Sequence, residues 1–363
     1  MDGVVQPAGR AQPAAGPVSG GRVDASGAGR ADGGAVGPAG GGQPAGRHGP
    51  AFDSAVAPGG YLWWYLDALS DDGEHGITVI AFIGSVFSPY YAWARRRSGA
   101  GTADPLNHCA VNVALYGRSG PRWAMTERGR GQVQREARAL QIGPSSLQWQ
   151  DDTLTIAIDE VTVPWPTRLR GTVRLHAPQR FDHPVALSGP SQGHHCWTPI
   201  APSARVEVDL QQPGLRWSGP GYLDSNQGDA PLERAFERWD WSRVHLSGGR
   251  SVVLYDVDRI GADPLSVGLQ FHPDGSVRDI EAPPKATLPA TLWRVARGTR
   301  SDAGASLHVL RTLTDAPFYA RSLVNTQLFG ERATGMHESL SLTRFDTPWV
   351  QAMLPFRMPR TTR

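Results

Sequence analysis

Ile77-Thr78-Val79-Ile80-Ala81-Phe82-Ile83 is an uncharged run of β-branched and aromatic residues. It has the composition of a central strand and is shorter than an interior helix needs to be. Ala110-Val111-Asn112-Val113-Ala114-Leu115-Tyr116 follows the same logic. Farther along, Leu154 to Ile158, Thr172 to His176 and Ala204 to Leu210 alternate polar with apolar residues, as half-buried strands do. Val244-His245-Leu246 and Ser251 to Tyr255 flank Ser247-Gly248-Gly249-Arg250, and Gly268 to Phe271 and Ser276 to Arg278 flank Pro273-Asp274-Gly275, so two hairpins are expected. Leu292 to Val295 and Leu307 to Leu310 read as two more short strands. Short strands about every ten residues, without long 3.6-period segments, predict antiparallel sandwiches or barrels. The best helix candidate is Gly129 to Leu140. The strands are too many for one small barrel and suit two, with the boundary expected in the Gly-rich stretch Trp217 to Leu232.

The chain has 363 residues, with 36 Lys+Arg against 34 Asp+Glu and a formal charge of +2. This near balance argues against a nucleic-acid binder, which normally shows a basic stripe. Residues 1–50 hold 15 Gly and 6 Pro and no Leu, Ile, Phe, Tyr or Trp, too little apolar area to offset ordering entropy, so a disordered tail is expected. The longest apolar run, Ile77 to Phe87, is 11 residues, too short to span a bilayer as a helix, and no secretory signal is visible. With Cys109 and Cys196 the only cysteines, no disulfide scaffold is expected and a reducing cytoplasm is.

Two period-two pairs carry groups suited to chemistry. In Gly193-His194-His195-Cys196-Trp197-Thr198-Pro199, an extended backbone points His195 and Trp197 the same way; in Gly219-Pro220-Gly221-Tyr222-Leu223-Asp224, it does the same for Tyr222 and Asp224. Each pair joins a proton-transfer group to an aromatic ring, and the glycines around the second permit close backbone approach. Trp239 and Trp241 likewise share one strand face. Spacing alone fits bland roles equally: a hydrogen-bonded structural His beside a Trp, an Asx-type turn with a packed ring, and a core Trp pair. A zinc site built from His108-Cys109 and His194-His195-Cys196 lacks ligand spacing, because neighbours on a strand face opposite ways. Neither a phosphate-binding glycine motif nor a Gly-x-Ser-x-Gly elbow occurs in the folded region. On these grounds the function stays open.

Longer blocks carry a family likeness. Gly59-Gly60-Tyr61-Leu62-Trp63-Trp64-Tyr65-Leu66-Asp67-Ala68, Ser70-Asp71-Asp72-Gly73 and Ile80 to Tyr91 resemble the bacterial carotenoid 1,2-hydratases, also called hydroxyneurosporene synthases. So do His194 to Pro199, Gly221-Tyr222-Leu223-Asp224-Ser225-Asn226 and Trp239-Asp240-Trp241-Ser242-Arg243. The resemblance covers about residues 58–360. It implies two lipocalin-like antiparallel β-barrel domains, over 56–230 and 231–363, after a disordered tail over 1–55. It also implies a hydro-lyase without cofactor or metal that adds water to the terminal double bond of acyclic carotenoids such as lycopene and neurosporene. The family's functional residues fall on His195, Trp197, Tyr222 and Asp224.

Hydrating a trisubstituted alkene begins with a strong acid, because the alkene is a poor base. Asp224 is the expected acid, its carboxyl raised far above the ordinary value of about 3.9 by burial in an apolar barrel mouth. Tyr222 and Trp197 would face the developing carbocation. His195 would stay neutral and hydrogen-bond Asp224 to orient its proton, or deprotonate the incoming water. Trp239, Trp241, Tyr90 and Tyr91 are the expected substrate contacts. Since the polyene resides in lipid, a peripheral protein on the inner or photosynthetic membrane is expected. Its docking segment would be Tyr90-Tyr91-Ala92-Trp93-Ala94-Arg95-Arg96-Arg97, which reads equally as a strand end followed by a solvated basic loop. Competing readings are a lipocalin-like carrier that needs no acid and a pericyclase akin to fungal Diels–Alder cyclases; of the three, only a hydratase incorporates solvent oxygen.

Overall fold

A computed structural model describes residues 50–361 apart from 100 and 119. The expected tail lies outside these residues as far as position 49. Phe52 is already packed, edge-on against Trp64 with ring centroids 4.8 Å apart.

The fold is mainly β, as expected. The first sheet contains β1 (Tyr61–Leu69), β2 (Gly76–Ile83), β3 (Cys109–Tyr116), β4 (Arg122–Arg128), β5 (Val133–Glu136), β6 (Ala139–Ile142) and β7 (Ser145–Gln150), followed by β8 (Thr153–Val161), β9 (Arg168–His176), β10 (Val185–Ala186), β11 (His195–Gln212) and β12 (Leu215–Gly228). Its order is β4-β3-β2-β1-β12-β11-β9-β8-β7-β6-β5, with β10 on β11. Period-two alternation along β1 gives the sheet two different faces. Leu62, Trp64, Leu66 and Ala68 join Ile77, Val79, Val111, Val113, Leu154, Ile156, Val173 and Val206 in an apolar filling, around which the sheet curls into a nearly closed lipocalin-like barrel. Each such Leu, Ile or Val contributes about 1.5–3 kcal/mol on burial. Tyr61, Trp63, Tyr65 and Asp67 point out of the barrel.

The stretch Trp217 to Leu232 is mostly strand β12, and the chain passes to a second sheet over residues 229–235. That sheet holds β13 (Phe236–His245), β14 (Ser251–Arg259), β15 (Leu265–Phe271), β16 (Val277–Asp279), β19 (His308–Asp315), β20 (Tyr319–Leu328) and β21 (Glu331–Ser341), in the order β16-β15-β14-β13-β21-β20-β19. A separate ribbon pairs β17 (Lys285–Leu288) with β18 (Arg297–Arg300). Trp239, Trp241, Val253, Tyr255 and Met336 on the second sheet pack against Tyr61, Trp63, Tyr65, Phe82, Trp197 and Tyr222 on the first barrel's outer face. Among the described residues three α-helices accompany the sheets: α1 (Pro89–Arg97), α2 (Leu342–Phe345) and α3 (Pro348–Arg357). Leu342, Phe345, Val350, Leu354 and Met358 belong to the same cluster, so α2 and α3 cap one end of the layer between the sheets.

Three local expectations change. Gly129 to Leu140 is no α-helix but a single 3-10 turn at Arg130–Gln132 followed by β5 and β6; Leu140 and Ile142 enter the barrel filling, and Arg135 donates to the carbonyls of Phe52 and Ser54 at 2.7 Å each, which holds the segment extended. Leu292 to Val295 is a turn closed by Arg294 N–H on Thr291 O and Val295 N–H on Thr291 Oγ1, with Arg294 at φ 53°. Residues 90–97 are helix α1, begun by Pro89 and capped by Ser88 Oγ, which accepts from Tyr91 N–H.

Candidate active site

β11 and β12 lie side by side, with Trp197 opposite Asn226 and Pro199 opposite Asp224, and β1 flanks β12 with Tyr65 opposite Asp224. Directly paired residues share a face. Tyr222, Asp224, Asn226, Trp197 and His195 therefore join Tyr61, Trp63, Tyr65 and Asp67 on the outer face of the barrel, covered by the second sheet. The site is thus between the sheets and not in a barrel mouth, because the barrel interior is already filled by the opposite alternation.

Asp224 is 4 % exposed. Its Oδ2 accepts from Trp197 Nε1 and from the Tyr222 hydroxyl, each at 2.8 Å; Oδ1 meets only Asn226 Nδ2, at 3.3 Å. Burial pushes the carboxyl up to about 8 against the pull of the two donors, with the nearby Glu338 and Asp67 adding to the rise. Its neighbours explain why no cation offsets this. Arg243 Nε donates to Asp67 Oδ1 at 2.6 Å, and Arg321 pairs with Glu338. The Tyr65 hydroxyl lies 2.7 Å from Asp67 Oδ2 and 2.6 Å from Glu338 Oε1, with one hydrogen to share between them. Two arginines are matched with two carboxylates, and Asp224, the third acid of the layer, is left to be neutral. With both strong donors on Oδ2, its proton belongs on Oδ1.

Aromatic rings enclose the group. Trp241 lies 5.1 Å from Tyr222, Trp197 5.6 Å from Tyr255, and Tyr255 5.9 Å from Trp239, all near edge-to-face. Four surface concavities of about 450, 700, 700 and 940 Å³ are lined by other residues.

The expected hydrogen bond from His195 to Asp224 is not made. His195 pairs with Gly228 in the strand register, four residues from Asp224 or ~13 Å at about 3.3 Å per residue. Its Nδ1 meets the Tyr61 hydroxyl at 3.0 Å, and its buried Nε2 has no protein partner among the described residues. Burial pulls the imidazole down to about 4, so it is neutral at pH 7. Gly228 makes room for this pair: a Cβ there would sit 2.5 Å from the Tyr61 ring and 2.7 Å from His195 Nδ1.

Trp239 and Trp241 reach the layer; Tyr90 and Tyr91 do not. Tyr91 is fully buried, stacks on His108 at 4.7 Å and donates to Gly60 O at 2.7 Å. Tyr90 lines the 940 Å³ concavity with Trp93, Arg96, Arg97, His108 and Arg360. Arg95 lies over the Tyr91 ring and faces Glu233 at 3.4 Å, so of the three arginines of α1 only Arg96 and Arg97 are exposed. Sequence reading missed Asp67, Arg243 and Asn226, although Arg243 and Asn226 continue recognised period-two faces, Trp239/Trp241 and Tyr222/Asp224, and Asp67 shares the face of Tyr65 in the Gly59 to Ala68 block. Glu338 and Arg321 sit in strands without any such signal. Among the described residues no group of three or more His, Cys, Asp or Glu is placed to hold a metal ion, and no helix is long and apolar enough to cross a membrane.

Residues 79–363 match the family model described as carotenoid hydratase CrtC. The acyclic carotenoid 1,2-hydratase of Thiocapsa roseopersicina is 54 % identical over 361 residues, covering 99 % of this chain and 87 % of that protein. The enzyme of the same description from Rubrivivax gelatinosus is 50 % identical over 311 residues, covering 86 % and 76 %. A crystal structure assigned to AttH of Nitrosomonas europaea shares the fold with a TM-score of 0.56 at 12 % identity, over 82 % of this chain and 99 % of that one.

Proposed function

This chain belongs to the carotenoid hydratase family, a family of hydro-lyases, and on that premise we propose that it adds water to the terminal double bond of an acyclic carotenoid with Asp224 as the acid. The observation that carries the reading is a buried carboxyl without a cationic partner, raised to about 8 by burial, whose Oδ2 accepts from Trp197 and Tyr222; the proton is assigned to Oδ1. Transfer of that proton to the less substituted alkene carbon puts the charge on the tertiary carbon. The carboxylate left behind is then stabilised by the two donors already in place, so little reorganisation is needed as charge develops. The rings of Trp197, Tyr222 and Trp241 line the cation's side, at about 0.5–2 kcal/mol each when desolvated. Water attacks the tertiary carbon and must lose a proton. His195, neutral and with Nε2 free of protein partners, is the proposed acceptor at the other end of the same face.

Lycopene and neurosporene are the proposed substrates, with Trp239 and Trp241 as contacts within the layer. Tyr90 and, behind it, Tyr91 belong to the approach along α1 on a peripheral protein at a membrane. Because rings close over Asp224, the polyene tip has to part the layer between the sheets.

The test is turnover of lycopene in heavy-oxygen water by the purified chain without added cofactor. The product is expected to carry solvent oxygen, and Asp224→Asn to abolish hydration while leaving folding and polyene binding intact. Full activity in that variant would refute the acid assignment; absence of product would point to a carrier, and unlabelled product to a pericyclase.

A further inference from the structure

α3 has an unusual exposed side. Val350, Gln351, Leu354 and Met358 at its end face inward, while Trp349, Ala352, Met353 and Phe356 face out at i, i+3, i+4 and i+7. The outward face of this helix is therefore as apolar as the buried one, the reverse of a soluble surface helix. Phe356 is 80 % exposed. Beside it, the turn after Thr291 holds Leu292 out at 91 % exposure, and Trp293 stacks on Trp349 with centroids 6.2 Å apart. α1 lies against α3 and adds Trp93, also exposed. A contiguous apolar surface of this kind marks a binding face.

Its rim identifies the occupant. Arg96 and Arg97 on α1, Arg294 in the turn and Arg344 on α2 are carried by the elements that bear or adjoin the apolar residues; Arg344 also donates to Trp293 O at 2.9 Å, whereas Arg357 of α3 lies over the Trp123 ring. The acids at this face are fewer: Asp346, exposed between α2 and α3, and the half-buried Asp315, whose Oδ2 accepts from Trp293 N–H at 3.2 Å. In a two-fold contact with a second copy the arginine rims would face each other. The first 50 residues, without Leu, Ile, Phe, Tyr or Trp, supply little to cover such a face. An anionic lipid surface satisfies both parts, with acyl chains for the rings and phosphates for the guanidiniums.

We propose that the outward face of α3, with the Leu292-Trp293 turn and Arg96 and Arg97, docks the protein on anionic membrane. This rests on the reading of a lipid-borne substrate and moves the anchor from α1 alone to α3. It also sets the bilayer against the helices that cap the layer containing Asp224.

Flotation of the full chain with phosphatidylglycerol/phosphatidylcholine vesicles, against pure phosphatidylcholine, tests it without any turnover. The wild type is expected to float with the anionic vesicles and to be released by salt. The triple variant Trp349→Ser/Met353→Ser/Phe356→Ser should lose at least tenfold in partitioning with an unchanged thermal midpoint, since these side chains are exposed. Arg96→Ala/Arg97→Ala should lose the preference for anionic vesicles. Wild-type flotation by the triple variant would overturn the proposal. So would failure of the wild type to bind anionic vesicles, or a concentration-dependent dimer that the triple variant dissolves. Hydration of detergent-dispersed lycopene by the triple variant is expected to remain at the wild-type level, so failed docking and failed catalysis are read separately.

Discussion

Trp197 Nε1 and Asp224 Oδ2 lie 2.8 Å apart across two neighbouring strands, so the indole that faces the proposed cation also holds the proposed acid. The bond favours the ionised carboxyl and opposes its burial. Trp197→Phe keeps a ring and removes the donor; the basic limb of the kcat profile should move to higher pH. Trp197→Ala also removes the π face and should lose much more activity than Phe. Equal losses would assign the residue to shape alone.

The rate should follow two ionisations. In the proposed mechanism hydration needs Asp224 protonated, so kcat should fall as pH rises through about 8, and His195 neutral, so kcat should fall as pH drops through about 4. His195→Gln should be slow and should lack the acid limb. A His195→Gln profile that keeps the wild-type acid limb would remove His195 from proton transfer.

Stability carries the same signature. In the folded chain Asp224 keeps its proton up to about 8, whereas the unfolded group loses it near 3.8, so the folded state binds more protons between these values and stability falls as pH rises. His195 works oppositely between about 4 and 6.5, where the unfolded chain binds the proton and stability rises with pH. Between pH 6.5 and 8 the Asp224 slope stands clear of the histidine's, at up to ~1.4 kcal/mol per pH unit. Denaturant unfolding at pH 6.5 and 8 should show this decline in the wild type and a flatter response in Asp224→Asn. An equal decline in both would mean that Asp224 is ionised when folded.

The Asp67–Arg243 pair bridges the two sheets, and both side chains are buried. Arg243→Met leaves Asp67 without its cation and should destabilise by about 3–5 kcal/mol. Adding Asp67→Asn removes the stranded charge and should recover part of the loss. No recovery in the double variant would place the role of Arg243 in packing.

Gly228 makes room for the His195–Tyr61 pair. Gly228→Ala should reduce hydration about as much as His195→Gln while leaving the Asp224 limb near pH 8 in place. Wild-type activity in Gly228→Ala would show that the pair is dispensable.

Strand content and the faces of individual strands were readable in the residues themselves, because alternation is a local property of the backbone. His195 with Trp197, and Tyr222 with Asp224, share faces for that reason alone. Where the pattern is set by long-range contact, reading failed: Val133 to Ile142 became a hairpin because its apolar residues complete a distant barrel filling, and Leu292 to Val295 a turn because Thr291 caps it.

What the amino-acid order determined by itself is the β class, the period-two pairing of acid with aromatic ring, and a family likeness strong enough to imply the reaction. Tertiary structure alone decided on which face of the barrel the candidate site residues gather. It brought Glu338 and Arg321 beside Tyr65, kept His195 away from Asp224, and left one carboxyl without a cation. Those outcomes depend on which side of one sheet a second sheet covers, and pairing across hundreds of residues leaves no local trace in the chain.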